Sequence, residues 1–278
     1  MDWRDEGLLL SVRRHGETGA VIEVLTAEHG RHAGLVHGGG GVRLGSVLQP
    51  GAQLALEWRA RLDEHLGTYK VEPIKSRAAQ IMADRARLSG LNAISAMILI
   101  TIPERAPDER LYKATLAMAD LLASDDPFWP SSYALWELEL LTALGFGLDL
   151  ERCAATGTRG DLCYVSPRTG RAVSRSAGAV WADKLLPLPG FLIGKGHVTI
   201  GAVREALRLT GYFFEHSVLP SLDRDAVPEA RSRLLSVLER ITLPSPSTDE
   251  RSRDDEAEYH KAMGESRELL IPGNGASN

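Results

Sequence analysis

The chain has 278 residues, 44% hydrophobic and 25% charged, which suits two or three small packed domains and excludes a polymer too polar to build a core. It has no apolar run of the ~18 residues that mark a membrane span, and its start, MDWRDEG, carries no secretory segment. Two cysteines without an export signal predict reduced thiols in a cytoplasmic protein, while a net charge of −5 excludes a uniformly cationic surface.

Five short strands are predicted over 8–13, 20–26, 31–37, 53–58 and 68–72, all rich in Val, Leu and Ile. Gly16, Gly19, Gly30, the four glycines 38–41 and Pro50-Gly51 punctuate them. Val21, Glu23 and Leu25 share one face of their strand, Ile22 and Val24 the other. Two partly apolar faces suit a small closed barrel, and five strands in about 75 residues match an OB-fold, a barrel that commonly binds single strands. An SH3-like barrel has a similar strand count.

From Ala78 the period becomes helical. Ile81, Met82, Leu88, Leu91, Ile94, Met97 and Ile98 predict a helix over 78–102, ended by Pro103 and Pro107. Asp108 precedes a second helix over 111–123. Pro127 and Pro130 break the chain again, with Ser131 or Ser132 expected to cap a helix through Trp136. That helix is expected to end at Gly145, with Gly145 and Gly147 leaving it at positive φ. A loop bearing Cys153 and Cys163 follows, then helices over 199–210 and 212–219 and a last one opened by Pro228. The expected fold class is α+β: an OB-like barrel over 1–77, a mostly helical domain over 78–243 with a knuckle inserted at 151–185, and a disordered acidic tail over 244–278.

Motifs for catalysis are lacking. After the glycines 38–41 comes Val42-Arg43-Leu44 instead of the Lys-Ser/Thr of a P-loop, so a flexible connection is expected there. There is no His-Glu-x-x-His and no Gly-x-Ser-x-Gly among the eight histidines and other candidates. Asp108, Glu109, Asp125 and Asp126 are expected to cap helices and solvate the surface, and His15, His29, His32 and His37 to lie at the surface near barrel turns. A structural zinc site wants four Cys or His ligands, usually in close pairs. Cys153 and Cys163 have no paired Cys beside them, so no metal and no cofactor are expected, with the knuckle held by packing around Tyr164 and Val165.

Charge is unevenly spread. Residues 80–150 carry ten acidic and five basic side chains, whereas residues 152–184 carry six basic against two acidic. Arg13, Arg14, Arg31, Arg43, Arg59 and Arg61 fall near the ends of predicted strands, and strand ends of a barrel gather at a rim. Guanidinium groups there bind phosphate in forked pairs, with Trp58 and Tyr69 as stacking surface; ordinary surface arginines and core aromatics are the alternative. Arg152, Arg159, Arg168, Arg171 and Arg175 form a second set, for phosphate or for docking onto the acidic helices.

The stretch WELELLTALGFGLDLERCAATG, followed by DLCYVSPRTGRAVS, resembles the central signature of the RecO family of bacterial recombination mediators. The resemblance runs over about residues 8–240 and rests on a Trp-Glu helix, a Gly-Phe-Gly exit, Leu-x-x-Cys and Ser-Pro-x-x-Gly. Some family members carry four cysteines in this knuckle, and their loop at the glycines 38–41 is usually basic, resembling Lys-Gly-Ala-Arg-Arg; this chain has His37 and a lone Arg43. The resemblance implies a non-enzymatic mediator that binds single- and double-stranded DNA and anneals complementary strands. It also implies RecR and the C-terminal tail of the single-strand-binding protein SSB as partners, and help in loading RecA. An OB module in another pathway, such as RNA handling, and a small enzyme are the other readings.

Overall fold

The computed structural model describes residues 1–62 and 64–244. The tail expected over 244–278 lies, from residue 245, outside the described residues.

Five strands, β1 (Asp2–His15), β2 (Gly19–Thr26), β3 (Gly30–Val36), β4 (Gln53–Arg59) and β5 (Thr68–Lys75), close into a barrel in the order β1-β2-β3-β5-β4. The β3–β5 pair is parallel and the others antiparallel, the OB-like arrangement expected. A helical turn, α1 (Val42–Gly45), lies between β3 and β4. β1 starts at Asp2 rather than at residue 8. Its first half pairs with β4, from Asp2 opposite Arg59 to Leu8 opposite Gln53; its second half pairs with β2 as far as His15 opposite Gly19. Asp2, Arg4 and Glu6 point to solvent, and these charges hid the alternation. Leu9, Ile22, Val24, Leu54, Leu56 and Trp58 fill the barrel, each fully buried side chain stabilising it by about 1.5–3 kcal/mol.

The barrel forms one compact unit with α2 (Ala78–Met82), α3 (Arg85–Thr101) and α4 (Glu109–Ala123), the unit comprising Met1–Asp125 and Pro228–Leu234. The single helix expected over 78–102 is split because Asp84 caps α3, its Oδ1 accepting from the N–H of Ala86 at 2.7 Å and of Arg87 at 3.0 Å. Asp108 caps α4 as expected, accepting from Leu111 N–H at 2.8 Å. Arg77, only 1% exposed, ties the barrel to α4: Nε donates to Asp120 at 2.6 Å and Nη1 to the Gly51 carbonyl at 3.2 Å. Desolvation pushes the Asp120 carboxyl up, but Arg77 and Lys75 hold it below its ordinary range.

The second unit comprises Asp126–Val227 together with the chain from Leu235. At its centre, α5 (Trp129–Ala143) is buried at every position from Trp129 to Leu141, as a helix apolar on nearly all sides must be. Ser131 and Ser132 therefore lie inside the helix and do not cap it; Pro130 sits in its first turn and Asp126 accepts from Phe128 N–H at 2.7 Å. At the exit Gly145 is left-handed, with φ 81°. Gly147 is not; a Cβ there would lie 3.1 Å from Thr142 Oγ1, so close approach is its constraint.

Next come β6 (Leu162–Val165), β7 (Ala172–Ser174), the turn α6 (Arg175–Gly178), a 3-10 turn (Ala179–Lys184) and β8 (Leu186–Pro187), the strands forming a sheet in the order β7-β6-β8. α7 (Ile200–Phe213), capped by Thr199, runs through the expected break at residue 211 into a π turn (Phe214–Val218) and α8 (Leu219–Ser221). The Thr210 hydroxyl donates to the buried Glu137 carboxylate, joining α7 to α5. The last helix is α9 (Glu229–Leu238). No helix among the described residues is long and apolar enough to cross a membrane.

Candidate nucleic-acid interface

The barrel arginines do not gather on a single rim. Arg13 and Arg14 sit at the far end of β1, opposite Val21 and Ala20, whereas Arg59 lies opposite Asp2 at the near end. Eleven residues of extended strand, about 36 Å of contour, separate the two positions. Arg13 and Arg14 are exposed and have no ion-pair partner among the described residues. Arg43 belongs with them. Gly40 N–H donates to the Thr18 carbonyl at 2.9 Å, fastening the glycine run to the β1–β2 turn just ahead of α1, where Arg43 stands exposed. His15 and His37 are exposed at this end, and so is one carboxylate, Glu17.

The glycine run is packed rather than loose, with Gly39 buried against Ala20 and Leu48. The amides of Gly39, Gly40 and Gly41 all donate to protein carbonyls, those of Val36, Thr18 and Gly38. They are thus committed to holding the turn and do not form an open anion-binding nest.

At the near end the chemistry differs. Arg31 is a structural cation: Nη1 bonds Glu23 at 2.5 Å, Nε donates to the Ile102 carbonyl at 2.8 Å, and its side chain is 14% exposed. Arg59 is engaged with Glu57, whose carboxyl burial pushes up but Arg59, Arg4 and Lys70 draw below its usual range. Arg61 is exposed. Trp58 and Tyr69, expected as stacking surface, belong to the barrel core. His32, expected at the surface, is buried, with Nδ1 2.8 Å from the Tyr69 hydroxyl. These rings and Trp3 pack edge-on and stacked into one plug, with His29 lying flat on Trp3 at 3.9 Å. Periodicity could not separate Trp58 as core from Trp58 as platform, because both readings put an aromatic on a strand.

The knuckle carries the other cationic set. Arg152, Arg159 and Arg168 are exposed without an ion-pair partner among the described residues. Arg171 pairs with Asp149 at 3.1 Å and Arg175 with Asp161 at 3.3 Å, both in solvent, where such pairs are worth little and leave the cations available to phosphate. The loop is closed by backbone bonds: Cys153 N–H to Thr158, Gly157 N–H to Cys153, Ala154 N–H to Ala172 and Leu188 N–H to Cys163. Both cysteines are free thiols, Cys153 buried and Cys163 half-buried. Among the described residues no three His, Cys, Asp or Glu side chains are grouped to hold a metal ion. Sequence reasoning overlooked Trp181 in this region, although an aromatic inside the one basic segment was there to be seen.

The fold and its cations define a class: an OB-like barrel protein with a helical body and a small knuckle, showing exposed arginines at one barrel end and on the knuckle. Comparison with known sequences narrows it. A family model described as Recombination protein O N terminal matches residues 1–77, and one described as Recombination protein O C terminal matches residues 82–226. A protein of Cereibacter sphaeroides named DNA repair protein RecO is 55% identical over 240 residues, covering 86% of this chain and 99% of the relative. Relatives of the same name from Ruegeria sp. and Jannaschia sp. are 54% and 49% identical, covering 86% and 87% of this chain and 99% and 98% of their own lengths. The chain belongs to the RecO family of DNA repair proteins.

Proposed function

We propose that the protein is a recombination mediator that binds single- and double-stranded DNA and anneals complementary strands. With RecR, it assists RecA loading on strands coated by SSB, whose acidic C-terminal tail it engages. The observation that carries this reading is the exposed trio Arg13, Arg14 and Arg43 at one end of an OB-like barrel, in a chain of the RecO family. Arg152, Arg159 and Arg168, exposed on the knuckle and without an ion-pair partner among the described residues, give a second patch in the other unit.

No bond is made or broken in this mechanism. Two strands with complementary bases repel through their phosphates, and guanidinium groups that displace condensed counterions lower that repulsion. Forked hydrogen bonds hold the backbone and leave base edges free to pair. The site of action is the bacterial cytoplasm, at the nucleoid. The test mixes the purified protein with complementary oligonucleotides coated by SSB and follows annealing. Acceleration that falls as salt rises is the expected result; no acceleration at low salt would sink the reading.

A further inference from the structure

The 3-10 turn Ala179–Lys184 leaves two large apolar side chains in water, Val180 at 86% and Trp181 at 55% exposure. The chain's other tryptophans are buried or half-buried: Trp58, Trp129 and Trp136 in cores and Trp3 within the aromatic plug. The turn is also held firmly. Before it, Gly178 lies so close to β6 that a Cβ would come 2.6 Å from the Tyr164 ring; after it, β8 pairs with the same strand, Pro187 opposite Tyr164 and Leu186 opposite Val165. Both feet of the turn thus stand on two adjacent residues of β6.

Lys184 Nζ lies 5.3 Å from the centre of the Trp181 ring, a cation–π distance, and Arg175 stands at the start of the same segment. The carboxylates in this segment are Asp183 on the turn and Asp161, already paired with Arg175.

We propose that Trp181 is a stacking platform for an unpaired base of single-stranded nucleic acid, with Lys184 and Arg175 taking the adjoining phosphates. The inference deepens the mediator reading and rests on it. An indole carried on a turn anchored at both feet has only its own side-chain freedom to lose on binding, and its face accepts any base, which fits binding without sequence preference. The protruding side chain favours a base over an acidic peptide, because peptide anchors seat in concave pockets. Duplex bases are stacked on one another and offer no face, so Trp181 contributes to single-strand binding alone.

The test uses the full chain and its Trp181→Ala and Trp181→Phe variants, with oligo(dT) and a mixed-sequence duplex of equal length as probes, by fluorescence anisotropy. Trp181→Ala is expected to weaken oligo(dT) binding about tenfold, to leave duplex binding unchanged, and to keep the slope of affinity against salt, since no charge is lost. Trp181→Phe is expected to recover most of the affinity. Intrinsic tryptophan emission should be quenched by oligo(dT) in the parent protein and not in Trp181→Phe. Equal oligo(dT) affinity in parent and Trp181→Ala overturns this inference and leaves the mediator reading standing. A parent protein that binds neither probe at low salt overturns both. Loss in Trp181→Ala of binding to an acidic peptide, with oligo(dT) binding intact, assigns the surface to a protein partner and overturns the platform.

Discussion

The Sγ of Cys153 accepts two hydrogen bonds from Ser174, from its backbone N–H at 3.3 Å and from its hydroxyl at 3.4 Å, across twenty-one residues of chain. Burial pushes this thiol up, but the bonds from Ser174 and Thr156 outweigh it and hold Cys153 down at about 6. The thiolate is therefore the form that suits the folded state. The resulting stabilisation is fully present above the unfolded cysteine value, about 8.5. It declines as pH falls toward 6 and is absent below that. Urea unfolding midpoints at pH 6, 7, 8 and 9 are expected to show a rising component that Cys153→Ala removes and Ser174→Ala reduces; identical profiles for parent and Cys153→Ala would contradict it.

Arg13 and Arg14 are exposed at the end of β1 and lack ion-pair partners among the described residues, so their removal is expected to cost affinity and not stability. Replacing both with Ala should weaken DNA binding by ~1–3 kcal/mol, on the scale of charge-assisted hydrogen bonds. The magnitude of the log-affinity against log-salt slope should fall by about 1 to 2. Titrations at several salt concentrations check both, and unchanged values would remove this barrel end from the interface.

Arg31→Ala should do the reverse. Its guanidinium holds Glu23, Glu104 and the Ile102 carbonyl together, clasping β3 to the segment after α3. Deletion leaves Glu23 half-buried without this partner and is expected to destabilise the protein by ~2–3 kcal/mol. Denaturant unfolding beside DNA titration separates the two effects: lower stability with the DNA affinity of the remaining folded protein preserved.

Gly145 ends α5 at φ 81° with open space around its would-be Cβ, so the backbone and not crowding demands glycine. Gly145→Ala should cost ~1 kcal/mol and Gly145→Asn less, because asparagine tolerates the left-handed region. Equal thermal midpoints for the Ala and Asn variants would argue against this cause.

Local and periodic features were legible in the chain before it folded. The change from strand to helix period near residue 77, the five strand segments, the Asp108 cap and the left-handed Gly145 follow from spacing and residue type, because these act within a few residues. The arginine content of the barrel and of the basic knuckle was equally plain. Which arginines face solvent was not. Arg31 and Arg13 look alike in a string, and only the closing of the barrel set one against Glu23 and the other in water. The first half of β1 was hidden because its outward positions are charged, and its place is fixed by β4, more than forty residues away in the chain. Trp58, expected as stacking surface, lies in the barrel core for the same reason: burial is a property of what packs around a side chain, and that is decided between elements distant in sequence.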